Sequence, residues 1–318
     1  MFWGALRATG SGITQILILA CLGYVLRKKA FISDTGLDAI SRLVIDVTLP
    51  LLIFTQLVRE FNLAVYPDWW IYPILSVTIT VVGLVVGFVF TAFVSSWKKK
   101  VQFLNLVTFQ NSGYLPLALV AALLPVHQVG SMFIYLFLFL TGFNLVMWPL
   151  AVYIFSLSRD TEFRLKNILN PPVIASLAGL AAVFFGIHKI IPSVALKPLR
   201  LIGDCTLPLA MLVVGADLAQ IRVRHIDSKA MFWLVVAKLV VLPTLGLVFI
   251  SRFKVPELVG LLIVLQLAVP SATSLSVIAR HYKKEDILVS QGILVTHLVS
   301  LVTIPVFLSL YFSRVLMP

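Results

Sequence analysis

The chain has 318 residues, 60% of them apolar and 12% charged, with a formal net charge of +12. No water-soluble core needs that much apolar surface, so a soluble globular domain is excluded and the bilayer is the solvent. The positive charge does not indicate nucleic acid, because the lysines and arginines sit in small clusters between apolar runs, where they orient spans.

A span needs about 20 mostly apolar residues to cross roughly 30 Å of hydrocarbon. Such runs recur near 11–27, 35–58, 69–96, 101–124, 130–157, 170–187, 195–219, 230–251, 256–280 and 286–313, which predicts an all-α integral membrane protein of ten spans. Span 1 follows no cleavable leader pattern and is expected to remain in place. The two cysteines, Cys21 and Cys205, fall inside spans, where a thiol acts as a small apolar group. Basic residues crowd the loops after spans 1, 3, 5, 7 and 9, in clusters such as Arg27-Lys28-Lys29 and Lys98-Lys99-Lys100. By the positive-inside rule those loops face the cytoplasm and both termini face outward, as expected for a multi-pass protein of a bacterial plasma (inner) membrane. Residues 158–169, charged and apolar by turns, read either as a short interfacial helix or as a plain cytoplasmic linker.

Span 2 carries Arg42-Leu43-x-x-Asp46-x-Thr48-Leu49-Pro50-Leu51, and span 7 carries Arg200-Leu201-x-x-Asp204-x-Thr206-Leu207-Pro208-Leu209. An arginine and an aspartate repeated in register point to an internal repeat, with 1–157 as the first five-span copy and 170–318 as the second. Five is odd, so the second copy enters the membrane in the opposite sense, the inverted-repeat plan common among secondary transporters. Asp46 and Asp204 cost roughly 2.5–3.5 kcal/mol each near a helix centre. They serve either as coupling groups or as structural partners of Arg42 and Arg200 at i,i+4, and the recurrence of the arginine favours the structural pair.

Span 4 reads Gln110-Asn111-Ser112-Gly113-Tyr114-Leu115-Pro116, and span 9 reads Val269-Pro270-Ser271-Ala272-Thr273-Ser274. Pro116 and Pro270 lack the N–H that a continuous helix needs, and Gly113 weakens it further. Both spans are therefore expected to break, freeing backbone groups that in lipid must meet protein, water or ligand. The half-helices starting near Pro116 and Pro270 would direct N–H groups at a midplane cavity suited to an anion; proline kinks back-bonded by Ser and Thr are the alternative. Lys238 in span 8 has no partner nearby in sequence and is read as a charge that attracts or supports a carboxylate. Thr55 is polar enough to line the path or to bridge helices, and His297 in span 10 reads as a satisfied core histidine. No HExxH, GxSxG, P-loop or Cys/His metal spacing occurs, so no enzyme activity, cofactor or metal is expected.

The chain resembles the auxin efflux carrier family, within the wider group that includes the bile acid sodium symporters. The resemblance rests on Leu49-Pro50-Leu51-Leu52-Ile53-Phe54, Asn111-Ser112-Gly113-Tyr114-Leu115-Pro116, Asn170-Pro171-Pro172 and Val269-Pro270-Ser271-Ala272. It implies a scaffold of spans 1, 2, 6 and 7, dimeric in much of the family, and a mobile domain of spans 3–5 and 8–10 whose broken helices 4 and 9 cross at their prolines. It also implies a small organic anion bound at Asn111 and Pro116 from one break and Pro270 from the other, with Ser112, Gly113, Ser271 and Thr273 around them and Lys238 in support. Sodium coupling would need an acid beside the breaks; amides and hydroxyls stand there instead, which leaves proton coupling or charge-driven movement. A membrane metabolite sensor without flux is the reading outside transport.

Overall fold

The computed structural model describes residues 2–157, 170–221, 226–281 and 287–315; the expected linker at 158–169 lies outside them. Helices account for nearly all of the described chain, and the only strand-like pairing among the described residues is a single antiparallel bridge between Gln110 and Ser271.

In chain order the helices are α1 (Phe2–Lys28), α2 (Asp34–Leu43), α3 (Leu49–Glu60), α4 (Ile71–Phe90), α5 (Trp97–Thr108), α6 (Tyr114–Leu123) and α7 (Val126–Ser156). The second half has α8 (Pro171–Phe184), α9 (Ser193–Asp204), α10 (Thr206–Gln220), α11 (Ser228–Val235), α12 (Leu242–Arg252), α13 (Glu257–Ala268), α14 (Ser274–His281) and α15 (Ile287–Val315). Six stretches, Thr9–Lys28, Ile71–Phe93, Val126–Ser156, Ser193–Gln220, Ser228–Arg252 and Leu288–Ser313, are long and apolar enough to cross a bilayer; Tyr114–Leu123, Pro171–Phe184 and Glu257–Ala268 are apolar but shorter. The first helix begins at Phe2, well before the expected residue 11, because nothing in Trp3–Gly10 breaks it.

Local chemistry explains the ends. Ser33 caps α2 by accepting from the Gly36 N–H at 3.0 Å, Asn170 caps α8 from Val173 at 3.1 Å, and Asp227 caps α11 from Ala230 at 3.1 Å. Two spans widen into π-turns, Val44–Thr48 and Val236–Val241, and each is followed at the second residue by a proline, Pro50 or Pro243. A proline offers no N–H and its ring crowds the carbonyl four residues back, so the turn before it relaxes to i→i+5 bonding, as in Leu49 N–H to Val44 O.

Helix α1 lies along α10, and α3 packs against α8 and α9. The α1–α10 contact is backbone on backbone: a Cβ on Gly23 would strike the Leu212 carbonyl, and one on Gly215 the Ala20 carbonyl. The other group joins α4, α5 and α7 to α11–α13 and α15, around a core that includes Phe103, Phe109, Phe137 and Phe139. Apolar side chains such as Phe88, Val85, Phe185, Leu201 and Val302 face outward, as lipid-facing helices require. Where α5 and α11 begin, Lys99 Nζ meets Asp227 Oδ2 at 2.6 Å, and the ammonium holds that carboxyl below the usual carboxylate range.

Candidate functional site

The polar centre forms where two helices stop. Helix α5 ends at Thr108 and α6 begins at Tyr114; α13 ends at Ala268 and α14 begins at Ser274. The two unwound segments run antiparallel and bond each other, Asn111 N–H to Pro270 O at 2.8 Å and Ala272 N–H to Phe109 O at 3.0 Å. Each interruption thus satisfies part of the other's freed backbone, which is why both persist deep in the protein.

The last carbonyls of α5 have no helical partner, and distant side chains supply donors for two of them. Ser271 Oγ donates to Leu106 O at 2.7 Å, and Lys238 Nζ donates to Val107 O at 2.8 Å. Lys238 is 1% exposed and sits in the second π-turn, so its ammonium faces the negative end of the α5 dipole. Gly83 on α4 allows that end to approach closely: a Cβ there would lie 2.9 Å from the Thr108 carbonyl.

The α6 end is less occupied. Gly113 caps it with no side-chain hydrogen bond, and Pro116 falls within the first turn, where a missing N–H costs nothing. The half-helix therefore starts two residues before the proline expected to start it. Asn111 is buried, with Nδ2 3.3 Å from His297 Nε2. Ser112 is buried too; its carbonyl accepts from Gln266 Nε2 at 3.2 Å. Gln110 Nε2, Gln266 Oε1, Asn105 Oδ1 and Thr108 Oγ1 are buried without a hydrogen-bond partner. Asp217 and Asp46 lie within electrostatic reach of the Tyr114 hydroxyl.

The structure thus gathers Asn111, Ser112, Gly113, Pro116, Pro270, Ser271 and Lys238 in one region. Thr273 stands just before α14, half-buried, its carbonyl accepting from Ser276 Oγ at 2.8 Å. Thr55 is buried on α3, where its hydroxyl donates to Leu51 O at 2.7 Å. Asp46 and Asp204 are exposed on the faces of their helices. Arg200 Nε and Asp204 Oδ2 approach to 3.7 Å, as expected, but Arg42 and Asp46 form no such pair among the described residues. A π-turn, Val44–Thr48, begins between them. Sequence reasoning left out Gln110, Gln266 and His297 as site residues; the available signal was that freed helix-end groups require donors and acceptors, and these were the polar side chains at hand.

The length and apolarity of its helices make this a multi-pass membrane protein. The model of the Membrane transport protein family matches residues 11–162 and 158–308, and the chain belongs to that family, the auxin efflux carrier or PIN-like transporters. An uncharacterized transporter of Methanothermobacter thermautotrophicus is 24% identical over 92% of this chain and 95% of its own. An uncharacterized transporter of Schizosaccharomyces pombe is 30% identical over 38% of this chain, and the protein PIN-LIKES 6 of Arabidopsis thaliana is 28% identical over 38%. Those two matches span only 27% and 28% of the yeast and plant proteins.

Proposed function

We propose that this transporter moves small organic anions, carboxylates in particular, by alternating access, with the substrate held beside the paired interruptions at 109–113 and 269–273. The observation that carries the reading is the combination at the first interruption. A side-chain-uncapped helix start at Tyr114, a buried carboxamide at Asn111 and an orphaned Gln110 Nε2 stand near a buried ammonium that has a carbonyl rather than a carboxylate as its partner. Donors and positive charge together suit an anion.

On this reading α5–α6 and α13–α14 are each one broken span, the ten spans form two inverted five-helix copies, and the broken spans cross at the Asn111–Pro270 bond. Spans 1, 2, 6 and 7 form the scaffold, through which two copies pair, and the remaining helices form the body that moves. Lys238 supplies a buried donor at the end of α5, and the amides and hydroxyls at the breaks favour proton coupling or charge-driven movement over sodium. Asp46 and Asp204 are assigned to the scaffold rather than to the anion.

The test is current recorded from proteoliposomes during jumps of mono- and dicarboxylates, including malonate and indole-3-acetate, with and without pH and sodium gradients. A current that disappears in Asn111→Ala supports the site; binding without current in any gradient overturns transport in favour of sensing.

A further inference from the structure

We infer that His297 is the positioning residue for Asn111, and that its proton decides which edge of the Asn111 carboxamide faces the paired interruptions; this rests on reading that region as the anion site. His297 is 6% exposed and Asn111 5%, so neither has bulk water to turn to. His297 Nδ1 lies 2.8 Å from the carbonyl oxygen of Ile293. A carbonyl only accepts, so Nδ1 carries the proton, and in the neutral ring Nε2 is left with a lone pair.

Asn111 Nδ2, at 3.3 Å, donates to that lone pair, which commits the amino edge of the carboxamide to α15 and turns Oδ1 away from the ring. The preceding residue on α15 has a parallel task. Thr296 Oγ1 accepts from the Ser271 N–H at 3.3 Å, so adjacent residues of one helix hold both interruptions.

A proton gained at Nε2 reverses the arrangement. Both ring nitrogens then donate, the Asn111 amino group can no longer face the ring, and Oδ1 swings in to accept. The amino edge turns outward, toward the place proposed for the anion. Anion binding and protonation of His297 therefore reinforce each other, so anion affinity rises as pH falls through the titration of this ring. Of the charged groups on elements packed against α15, Lys238 is turned to Val107 O, Lys99 is paired with Asp227, and Arg7, Arg27, Lys28, Lys98, Lys100, Lys229, Arg252 and Glu257 stand near the ends of their helices. Among the described residues the ring meets the Ile293 carbonyl and the Asn111 carboxamide.

The experiment has two arms. Nitrogen NMR of histidine-labelled protein in nanodiscs, with the His297 signals assigned by their loss in His297→Gln, reads the tautomer without any substrate. The expected result is a proton on Nδ1 and an Nε2 resonance that moves in Asn111→Ala; a proton on Nε2 in the neutral ring overturns the proposal. The second arm measures KM for malonate and indole-3-acetate in proteoliposomes between about pH 4 and pH 8. Wild type should show KM falling with pH, His297→Gln a flat profile, and His297→Phe a KM raised about five- to tenfold, the size of one lost hydrogen bond. His297→Phe should add nothing to Asn111→Ala, because both remove one device. Additive losses, or an unchanged pH profile in His297→Gln, would sink the positioning role. Normal KM in Asn111→Ala would sink the site itself, a separate outcome.

Discussion

The two interruptions differ in what they leave unspent. At 269–273 Ser271 donates to Leu106 O and to Thr296, Pro270 O accepts from Asn111, and Ala272 donates to Phe109 O. At 109–113 the backbone is equally well tied, but the side chains are not, with Gln110 Nε2 orphaned and the α6 start lacking a side-chain cap. On the proposed reading one segment is a strap and the other the receptor. A buried polar group without a partner costs roughly 1–3 kcal/mol, and on that reading Gln110 Nε2 is left for a bound anion to satisfy.

Substitutions can break that contrast or sharpen it. Asn111→Ala should have the largest effect, lowering kcat/KM for a transported carboxylate by more than about tenfold while changing the thermal midpoint little, as reported by proteoliposome flux and a melting curve. Lys238→Met should reduce flux by about tenfold, and the midpoint should not fall, because a buried ammonium is removed along with its single bond. A fall of several degrees would mean that Lys238 serves mainly to hold α5.

Ser271→Ala tests the strap. It deletes the donor to Leu106 O and should lower stability by about 1 kcal/mol, with KM unchanged. A raised KM would put Ser271 on the substrate and erase the distinction between the segments. The smallest effect should come from the far end of α5, where Asp227 pairs with Lys99 at a half-exposed site. The Asp227 carboxyl is held below its unfolded value, so the stabilisation is present above the unfolded value and is lost as pH falls through the lowered one. It amounts to about 0.2–1 kcal/mol, seen as a midpoint that drops on acidification in wild type and less so in Asp227→Asn.

Much of this was readable from residues whose backbone demands are local. Pro116, Pro270 and Gly113 announced the breaks, and apolar length announced the spans, since both follow from a missing N–H or a count of residues. The partners across the breaks were hidden for a physical reason. Lys238 ends on a main-chain carbonyl, which has no letter in the sequence, and Asn111 meets His297 from 186 positions away. Arg42 and Asp46 misled in the opposite sense: they repeat the spacing of Arg200 and Asp204, yet only the second pair comes together among the described residues.

The glycine contact between α1 and α10 bears on which parts can move. Gly23 and Gly215 bring main chain against main chain at two levels, and such a contact has no rotamers with which to readjust. Helices joined in this way cannot slide past each other by small steps, as helices separated by Leu or Met side chains can. The pair works as a welded seam. Any shear in this molecule has to run along other helix faces, and a methyl group at either glycine should prove as damaging as a change at the polar centre.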